Sequence, residues 1–356
     1  MNAAPRPERL GIVLALASAV LFGASTPVAK ALLGGVSPWM LAGLLYLGSG
    51  VGLFAVSRIR ALTGGGTSEA PLRAGDLPWL AAAVLAGGVA GPVLLMLGLV
   101  STPASTASLL LNLEGIFTLA MAWTVLRENV DLRVGTGAAA ILTGAVLLSW
   151  GGGVAGVGWG AAAIGGACLA WAIDNNLTRK LSTADPLQIA MIKGLAAGAV
   201  NTGLAAALQP RWPAGPVVVA AGTVGFLGYG VSLVCFVLAL RHLGTARTGA
   251  YFSLAPFVGA LIAIVGFGDP VTPIFSAAAA LMGLGLYLHL VERHAHEHVH
   301  EPVTHEHRHE HDAHHQHAHG AHDPAGEPHS HVHVHARIVH GHPHYPDIHH
   351  RHSHKS

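Results

Sequence analysis

Two stretches of the chain are most informative about its fold: STASLLLNLEGIFTLAMAWTVLRENV at Ser105–Val130 and RTGAYFSLAPFVGALIAIVGFGDPV at Arg247–Val271. Each stretch contains a long apolar run, and sliding one on the other places Glu128 on Asp269. Similarity between two distant segments of one chain is the mark of an internal repeat. We therefore expect a chain built from two similar halves.

Apolar runs recur on both sides of these stretches. Hydrophobic residues make up 52% of the chain and charged residues 10%, whereas a soluble domain carries about 25% charged residues. A membrane-spanning helix needs about 20 mostly apolar residues. Ten stretches meet this length, at roughly 10–31, 38–57, 77–99, 102–125, 133–150, 157–178, 186–208, 215–240, 246–267 and 271–290. The sequence predicts an all-α integral membrane protein with ten transmembrane helices.

The repeat divides these helices into two groups of five. Phe22-Gly23, on a run ending at Lys30, matches Trp171-Ala172, on a run ending at Arg179. Because five is odd, the second group enters the membrane from the opposite side. Inverted repeats of this kind are typical of secondary transporters, which bind substrate near the midplane where the repeats meet. We expect a first half at residues 1–150 and a second half at residues 151–292.

The basic residues of the loops predict the orientation, because cytoplasmic loops carry an excess of Lys and Arg. One alternating set of loops holds Arg6, Arg9, Arg58, Arg60, Arg73, Arg127, Arg133, Arg179, Lys180, Arg241, Arg247 and Arg293. The other set holds Arg211, with Lys30 at the end of the first helix. We therefore expect a multi-pass protein of the bacterial inner membrane with both termini in the cytoplasm.

The sequence resembles a known family, the EamA-type members of the drug/metabolite transporter superfamily. The resemblance rests on ASLLLNLEGIFTLAMAWTVLREN, RHLGTARTGAYFSLAPFVGALIA and WAIDNNLTRKL, and it covers residues 10 to about 290. Gly115 replaces a proline that many members have, while Pro256 keeps it in the second half. The resemblance implies two inverted five-helix repeats and, usually, export of small metabolites or toxic compounds. It does not supply the substrate.

Two ionisable residues lie well away from the ends of predicted spans, where a charge costs roughly 2.5–3.5 kcal/mol and usually faces the bundle interior. Glu114, at the centre of the fourth helix, is either a proton or cation site or a structural carboxyl that pairs with a neighbouring helix. Lys193 is a counter-charge for Glu114, a contact for an anionic substrate, or a side chain that snorkels to the interface. Asn112 lies nearly opposite Glu114 round the helix, so one of the two must face protein.

Further polar residues are candidates for a substrate or ion pathway. Asp174 and Asn175 lie near the cytoplasmic end of the sixth helix, where they line the inner mouth of a cavity or form a solvated helix end. Ser105, Ser108 and Asn112 give the fourth helix one polar stripe. That stripe either lines the pathway or makes hydrogen bonds between helices.

Small residues are frequent in the helices. Three G-x-x-x-G pairs occur, at Gly48/Gly52, Gly87/Gly91 and Gly194/Gly198. Such pairs allow close approach of helix backbones in a membrane. We interpret them as packing sites of a tight bundle, with a role in dimerisation as the alternative.

The composition changes abruptly at Arg293. Of 26 histidines, all but His242 and His289 lie in the 293–356 tail, which is predicted to be disordered because it has too few apolar residues for a core. Imidazole is a ligand for Ni, Co, Zn and Cu. The predicted ligands are His294, His296, His298, His300, His305, His307, His309, His311, His314, His315, His317, His319, His331, His333 and His335.

These features together predict a secondary-active exporter of a small metabolite or of a divalent transition metal (Ni, Co or Zn). No nucleotide-binding motif and no protease signature stands out, so we expect neither an enzyme nor a nucleic-acid partner, and no required cofactor. The alternative from another class is a membrane-anchored metal buffer or sensor that uses the tail without transport. The inverted repeat argues against that alternative, because an anchor needs only one helix.

Overall fold

The computed structural model describes residues 6–63, 72–124, 132–150, 158–178, 181, 184–208, 212–290, 295–300, 303–309, 329–335 and 338–343. The helices are α1 (Arg6–Leu32), α2 (Pro38–Leu62), α3 (Leu77–Ala83), α4 (Gly91–Ser101), α5 (Ala104–Leu110), α6 (Leu113–Thr124), α7 (Leu132–Ser149), α8 (Trp159–Thr178), α9 (Pro186–Leu208), α10 (Gly215–Gly225), α11 (Ser232–Phe252), α12 (Ala255–Phe267) and α13 (Pro273–Leu290). The body of the chain is therefore helical, as predicted.

Two long helices contain a π-helical segment, in which the turn is wider than in an α-helix. The segment π1 (Val84–Ala90) joins α3 to α4, and the segment π2 (Phe226–Val231) joins α10 to α11. π-Helical turns are rare and frequently lie at functional sites. The two segments are therefore the first structural indication of where a site lies.

The predicted fourth and ninth helices are each interrupted. A turn at Leu111–Asn112 separates α5 from α6, and a turn at Ser253–Leu254 separates α11 from α12. Leu111 lies as far along the chain from Val84, the start of π1, as Ser253 lies from Phe226, the start of π2. Interrupted helices at corresponding positions of two halves point to the binding site of a transporter.

Helix α11 is not one straight rod. At a rise of 1.5 Å per residue, a straight helix would separate Phe236 from Phe252 by about 24 Å. Their rings instead pack with centroids 4.9 Å apart, and Phe252 also packs on Phe22 of α1 at 5.4 Å. The chain therefore reverses direction within α11, at the place where the sequence predicts the division between the eighth and ninth helices.

Eight helices in the described part of the chain are long and apolar enough to cross a membrane: Arg9–Leu32, Pro38–Leu62, Ala74–Ser101, Ala104–Met121, Leu132–Ser149, Pro186–Leu208, Gly215–Ala239 and Thr248–Phe267. The apolar helix Pro273–Leu288 is shorter. Helix α8 has 20 residues, and its polar Asp174, Asn175 and Asn176 lower its hydropathy. Helices thus occupy all ten predicted positions, but a count of ten spans stays a prediction.

The outer surface of the bundle is apolar. Val51, Val219, Leu261 and Val265 are large apolar residues that are 55%, 69%, 60% and 78% exposed. A soluble protein rarely leaves a continuous surface of this kind uncovered. Lipid is the environment that suits these side chains.

Glycines allow the helices to approach closely inside the bundle. The six glycines of the G-x-x-x-G pairs pack within the chain: Gly48 against Gly222, Gly52 against Phe226, Gly87 against Asp174, Gly91 against Trp171, Gly194 against Gly50 and Gly198 against Leu47. A Cβ atom on Gly194 would lie 2.7 Å from the Gly50 nitrogen, which only glycine avoids. The structure therefore supports packing inside the chain as the role of these residues.

Part of the tail forms two antiparallel pairs of short strands. Strand β1 (Ala295–His300) pairs with β4 (Ile338–Pro343), and β2 (Val303–His309) pairs with β3 (His329–His335). At these residues the structure differs from the predicted disorder. The physical reason is the alternation of histidine with valine and other residues, a period of two that suits extended strands. The rest of the tail lies outside the described residues.

Candidate functional site

A buried ion pair joins α8 to α9. Lys193 Nζ donates to both carboxylate oxygens of Asp174, at 2.6 and 2.7 Å. The Thr178 hydroxyl donates to Asp174 Oδ1 at 2.9 Å, and the two charged side chains are 17% (Lys193) and 9% (Asp174) exposed. Of the three alternatives for Lys193, the counter-charge of Glu114 is not the pairing in this structure, because its ammonium group binds Asp174.

The ion pair lies directly against π1. A Cβ atom on Gly87 would lie 2.0 Å from Asp174 Oδ2, so the carboxylate occupies the space that a side chain would fill. The Gly87 carbonyl accepts hydrogen bonds from the Tyr46 hydroxyl at 2.7 Å and from Trp171 Nε1 at 2.9 Å. Side chains thus satisfy a carbonyl that the widened π turn displaces from the regular helical pattern, and the same residues fix the position of Asp174.

Glu114 joins this cluster from α6. It follows the turn at Leu111–Asn112, is half-buried, and accepts a hydrogen bond from Asn175 Nδ2 at 2.8 Å. Asn175 directly follows Asp174 in α8, so this hydrogen bond places Glu114 beside the helical turn that carries Asp174. The structure therefore brings together Glu114, Asp174, Asn175 and Lys193, four of the residues that the sequence indicated.

The polar stripe of the fourth helix lies elsewhere. Ser105, Ser108 and Asn112 are all buried, and Asn112 Nδ2 donates to the Leu109 carbonyl of its own helix at 2.8 Å. A Cβ atom on Gly259 of α12 would lie 2.7 Å from the Ser108 hydroxyl. Asn112 is thus the more buried member of the Asn112/Glu114 pair, and the stripe packs against α12 at Ser108.

Aromatic rings connect the two π segments. Tyr229 of π2 packs on Tyr46 with ring centroids 5.5 Å apart and on Phe22 of α1 at 5.9 Å. Because Tyr46 also donates to Gly87 of π1, this one side chain touches both π segments. Gly87 also packs against Asp174, so the ring of Tyr46 lies beside the charged cluster.

The sequence alone did not single out Tyr46, Tyr229, Trp171 or Asn201 as site residues. Asn201 is fully buried in α9 and donates to the Gly88 carbonyl of π1 at 2.9 Å. The available signal was an amide in the middle of an apolar helix. The aromatic residues gave no comparable signal, because apolar rings inside a membrane helix are ordinary.

A metal centre was also predicted, but on the tail. Among the side chains that the structure describes, no group of three or more His, Cys, Asp or Glu residues could hold a metal ion. The tail side chains from His294 to His335 lie outside that description. Metal binding by the tail therefore stays a prediction.

Similar proteins were found by sequence and by structure. The EamA-like transporter family matches residues 9–150 and again residues 158–291. An "Uncharacterized transporter" of Methanothermobacter thermautotrophicus is 26% identical over 293 residues, covering 78% of this chain and 85% of the relative. A "Probable terminal-alkyne amino-acid exporter" of Streptantibioticus cattleyicolor is 29% identical over 219 residues, covering 61% of this chain and 74% of the relative.

One crystal structure of a protein that is 19% identical has the same fold, with a TM-score of 0.57 over 80% of this chain and 96% of that chain. The resemblance seen in the sequence is thus confirmed by a family match in each half. Members of this family carry small molecules across lipid bilayers. The chain belongs to the EamA-like transporter family, and it is a multi-pass membrane transporter and not an enzyme.

Proposed function

We propose that the protein is a secondary-active exporter of small zwitterionic metabolites of the amino-acid class. The observation that carries the proposal is the buried Asp174–Lys193 pair beside Glu114 and Asn175. A zwitterion brings one charge of each sign. Its carboxylate can take the place of Asp174 on Lys193, while its ammonium group binds a released carboxylate. Exchange of partners keeps every charge paired, which matters because an unpaired buried charge is costly.

The sequence relatives support this class of substrate. The Streptantibioticus cattleyicolor protein carries amino-acid exporter in its name. An amino acid with a modified side chain still presents the same ammonium and carboxylate groups. A site that binds the ammonium and carboxylate groups of an amino acid therefore suits both proteins, even if the two proteins accept amino acids with different side chains.

Glu114 is the proposed coupling residue. The cluster holds two carboxyl groups, Glu114 and Asp174, but one ammonium group, on Lys193. One proton would therefore bring the cluster to neutrality in a membrane interior, where a net charge is unfavourable. Glu114 is the carboxyl group without a cationic partner among the described residues, and it accepts only a neutral amide hydrogen bond. Proton uptake and release at Glu114 would couple transport to the proton gradient.

The proposed architecture is two inverted five-helix repeats, residues 1–150 and 151–292, with ten spans and both termini in the cytoplasm of a bacterium. The corresponding positions of π1 and π2, and of the two helix interruptions, support it. The packing partners support it as well: α1 packs on π2, α11 and α12, while α8 packs on π1, α4 and α6. Ser108 and Asn112 would join the pathway only in a conformation that separates α5 from α12.

The test is transport by purified protein in liposomes. The wild-type protein should exchange labelled neutral amino acids across the membrane, and should accumulate them when a pH gradient is imposed. Glu114→Gln should keep exchange but lose accumulation driven by the gradient. Asp76→Asn, which changes a carboxyl group at the start of α3, is the matched control and should behave as wild type. Gradient-driven accumulation by Glu114→Gln would refute the coupling role.

A second candidate function is export of Ni, Co or Zn, and the observation that favours it is the histidine content of the tail. A tail that gathers metal would raise its concentration beside the inner mouth. A membrane-anchored buffer or sensor is the version without transport. Cells with a chain truncated after Arg293 distinguish these functions. If the tail delivers metal to the pathway, cells with the truncated chain should become metal-sensitive, and expressing the tail on an unrelated membrane anchor should not restore resistance. If the tail is only a buffer, the anchored tail should restore resistance fully.

A further inference from the structure

The two ends of the interrupted fourth helix differ in burial. In α5, Ser105 and Ser108 are each 1% exposed. Beyond the turn at Leu111–Asn112, Glu114 is half-buried and Asn175 is exposed. The polar residues on the α6 side are thus more exposed than those on the α5 side.

The covered end is held by two charged side chains that flank one turn. Asp269 follows α12, and its Oδ2 accepts a hydrogen bond from the Ser105 backbone N–H at 2.7 Å. Gly268, with φ of 72°, bends the chain so that Asp269 can reach this point. The bond joins the second half of the chain to the first residues of α5.

Lys30 acts on the other side of the same turn. It lies in the last turn of α1, and Nζ donates to the carbonyls of Leu99 and Val100, the latter at 3.2 Å. These carbonyls belong to the last turn of α4, where a cation is favourable. Lys30 and Asp269 therefore fix both helix ends that meet at the turn between Ser101 and Pro103.

Close packing completes the closure. A Cβ atom on Gly160, at the start of α8, would lie 2.3 Å from the Thr102 hydroxyl. The start of α8 therefore packs tightly against the turn between α4 and α5.

We infer that Asp269 and Lys30 form a clamp that closes the Ser101–Pro103 end of the translocation path, and that Asp269 must release Ser105 in every transport cycle. The inference rests on the proposed function, because it makes the clamped end the exit of the exporter. In the proposed orientation this end faces the periplasm, so the structure is the conformation that loads substrate from the cytoplasm. Asp269 is a gating residue that does not itself touch the substrate.

Cys168 offers a native reporter of the clamp. Its side chain is fully buried, and Sγ lies 3.6 Å from the Leu110 carbonyl, between α8 and α5 and inside the clamped end. In a Cys235→Ser background, a membrane-impermeant maleimide added to the periplasmic face should label Cys168 slowly. Asp269→Asn should raise that labelling rate several-fold, because a neutral amide is a weaker acceptor than a carboxylate.

Asp185→Asn is the matched control. Asp185 also accepts a backbone N–H through its carboxylate, from Leu187 at 2.9 Å, but that bond is local to the start of α9. The control variant should therefore label like wild type. Equal labelling of Cys168 in Asp269→Asn and wild type would overturn the clamp. This readout needs no substrate, so it stays decisive even where the proposed amino-acid transport fails.

A second measurement covers the case in which Asp269→Asn does not fold. Ser105→Cys and Asp269→Cys, in a chain without Cys168 and Cys235, can be joined by a short cleavable bifunctional reagent. The joined protein should still bind substrate presented from the cytoplasmic side but should not transport it, and cleavage should restore transport. Transport at the same rate before and after cleavage would show that the clamp does not open in the cycle.

Discussion

Lys193→Met removes the cation of the buried pair at nearly constant side-chain volume. The variant leaves Asp174 buried inside the bundle, with the Thr178 hydroxyl as its remaining donor among the bonds described. Breaking a buried ion pair by removing one partner costs about 3–5 kcal/mol. Because Thr178 still donates at 2.9 Å, we expect the lower end of that range, about 3 kcal/mol.

The double variant Asp174→Asn/Lys193→Met separates a structural role of the pair from a transport role. Replacing both charges at similar volume is often close to neutral for stability. We therefore expect the double variant to unfold within about 1 kcal/mol of wild type, while each single variant is strongly destabilised. Transport should be absent from all three variants, because the double variant is stable but has lost the groups that bind the substrate.

The assay is thermal unfolding of the purified protein in detergent, combined with exchange of labelled amino acids in liposomes. The loss of about 3 kcal/mol should lower the Tm by about 4 °C in the single variants. Additive destabilisation in the double variant would show that the two side chains do not act as a pair. A double variant that is both stable and active in transport would reduce the pair to a packing element, and the reasoning would be refuted.

Three further predictions concern other parts of the molecule. Gly87→Ala should lower the free energy of unfolding by about 1–3 kcal/mol and reduce transport, because the new Cβ would lie 2.0 Å from Asp174 Oδ2. Its control is Gly115→Ala, whose new Cβ would meet nothing within 4 Å. Equal Tm values for the two variants would contradict the packing argument. Tyr46→Phe should lower the free energy of unfolding by only about 1 kcal/mol, since Trp171 still donates to the Gly87 carbonyl; a much larger loss in thermal unfolding would mean that the hydroxyl has a further role. In equilibrium dialysis near neutral pH, the full chain should bind several Ni or Zn ions, and the chain truncated after Arg293 should not. Binding should weaken below about pH 6, because protonated imidazole cannot ligate metal. Binding that does not change with pH would exclude imidazole as the ligand.

Much of the helical body follows from patterns that are local in sequence. The apolar runs place helices at every predicted position, because a stretch of about 20 apolar residues has few other stable arrangements in a membrane. The two π segments were not predicted, since they depend on side chains such as Tyr46 and Trp171 that reach the Gly87 carbonyl from other helices. The paired strands of the tail were not predicted, because a low apolar content indicates disorder although the alternation of histidine with other residues also suits extended strands.

The candidate site was predicted in its members but not in its pairing. Glu114, Asp174, Asn175 and Lys193 stand out because ionisable and amide side chains are costly in a membrane. Their partners depend on how α6, α8 and α9 pack, and the glycine at position 87 decides this by leaving room for Asp174. The sequence alone contains two carboxyl groups that could pair with Lys193, those of Glu114 and Asp174, and it does not show which of them lies within reach of the ammonium group.

Binding of labelled neutral amino acids to purified protein tests the central claim most directly, namely that the cluster of Glu114, Asp174 and Lys193 is the substrate site. Wild-type protein in detergent should bind the labelled zwitterion saturably, and an excess of the same unlabelled amino acid should displace it. The double variant Asp174→Asn/Lys193→Met, matched in stability, should bind none. Equal affinity of the wild type and the double variant would place the substrate elsewhere and contradict the account.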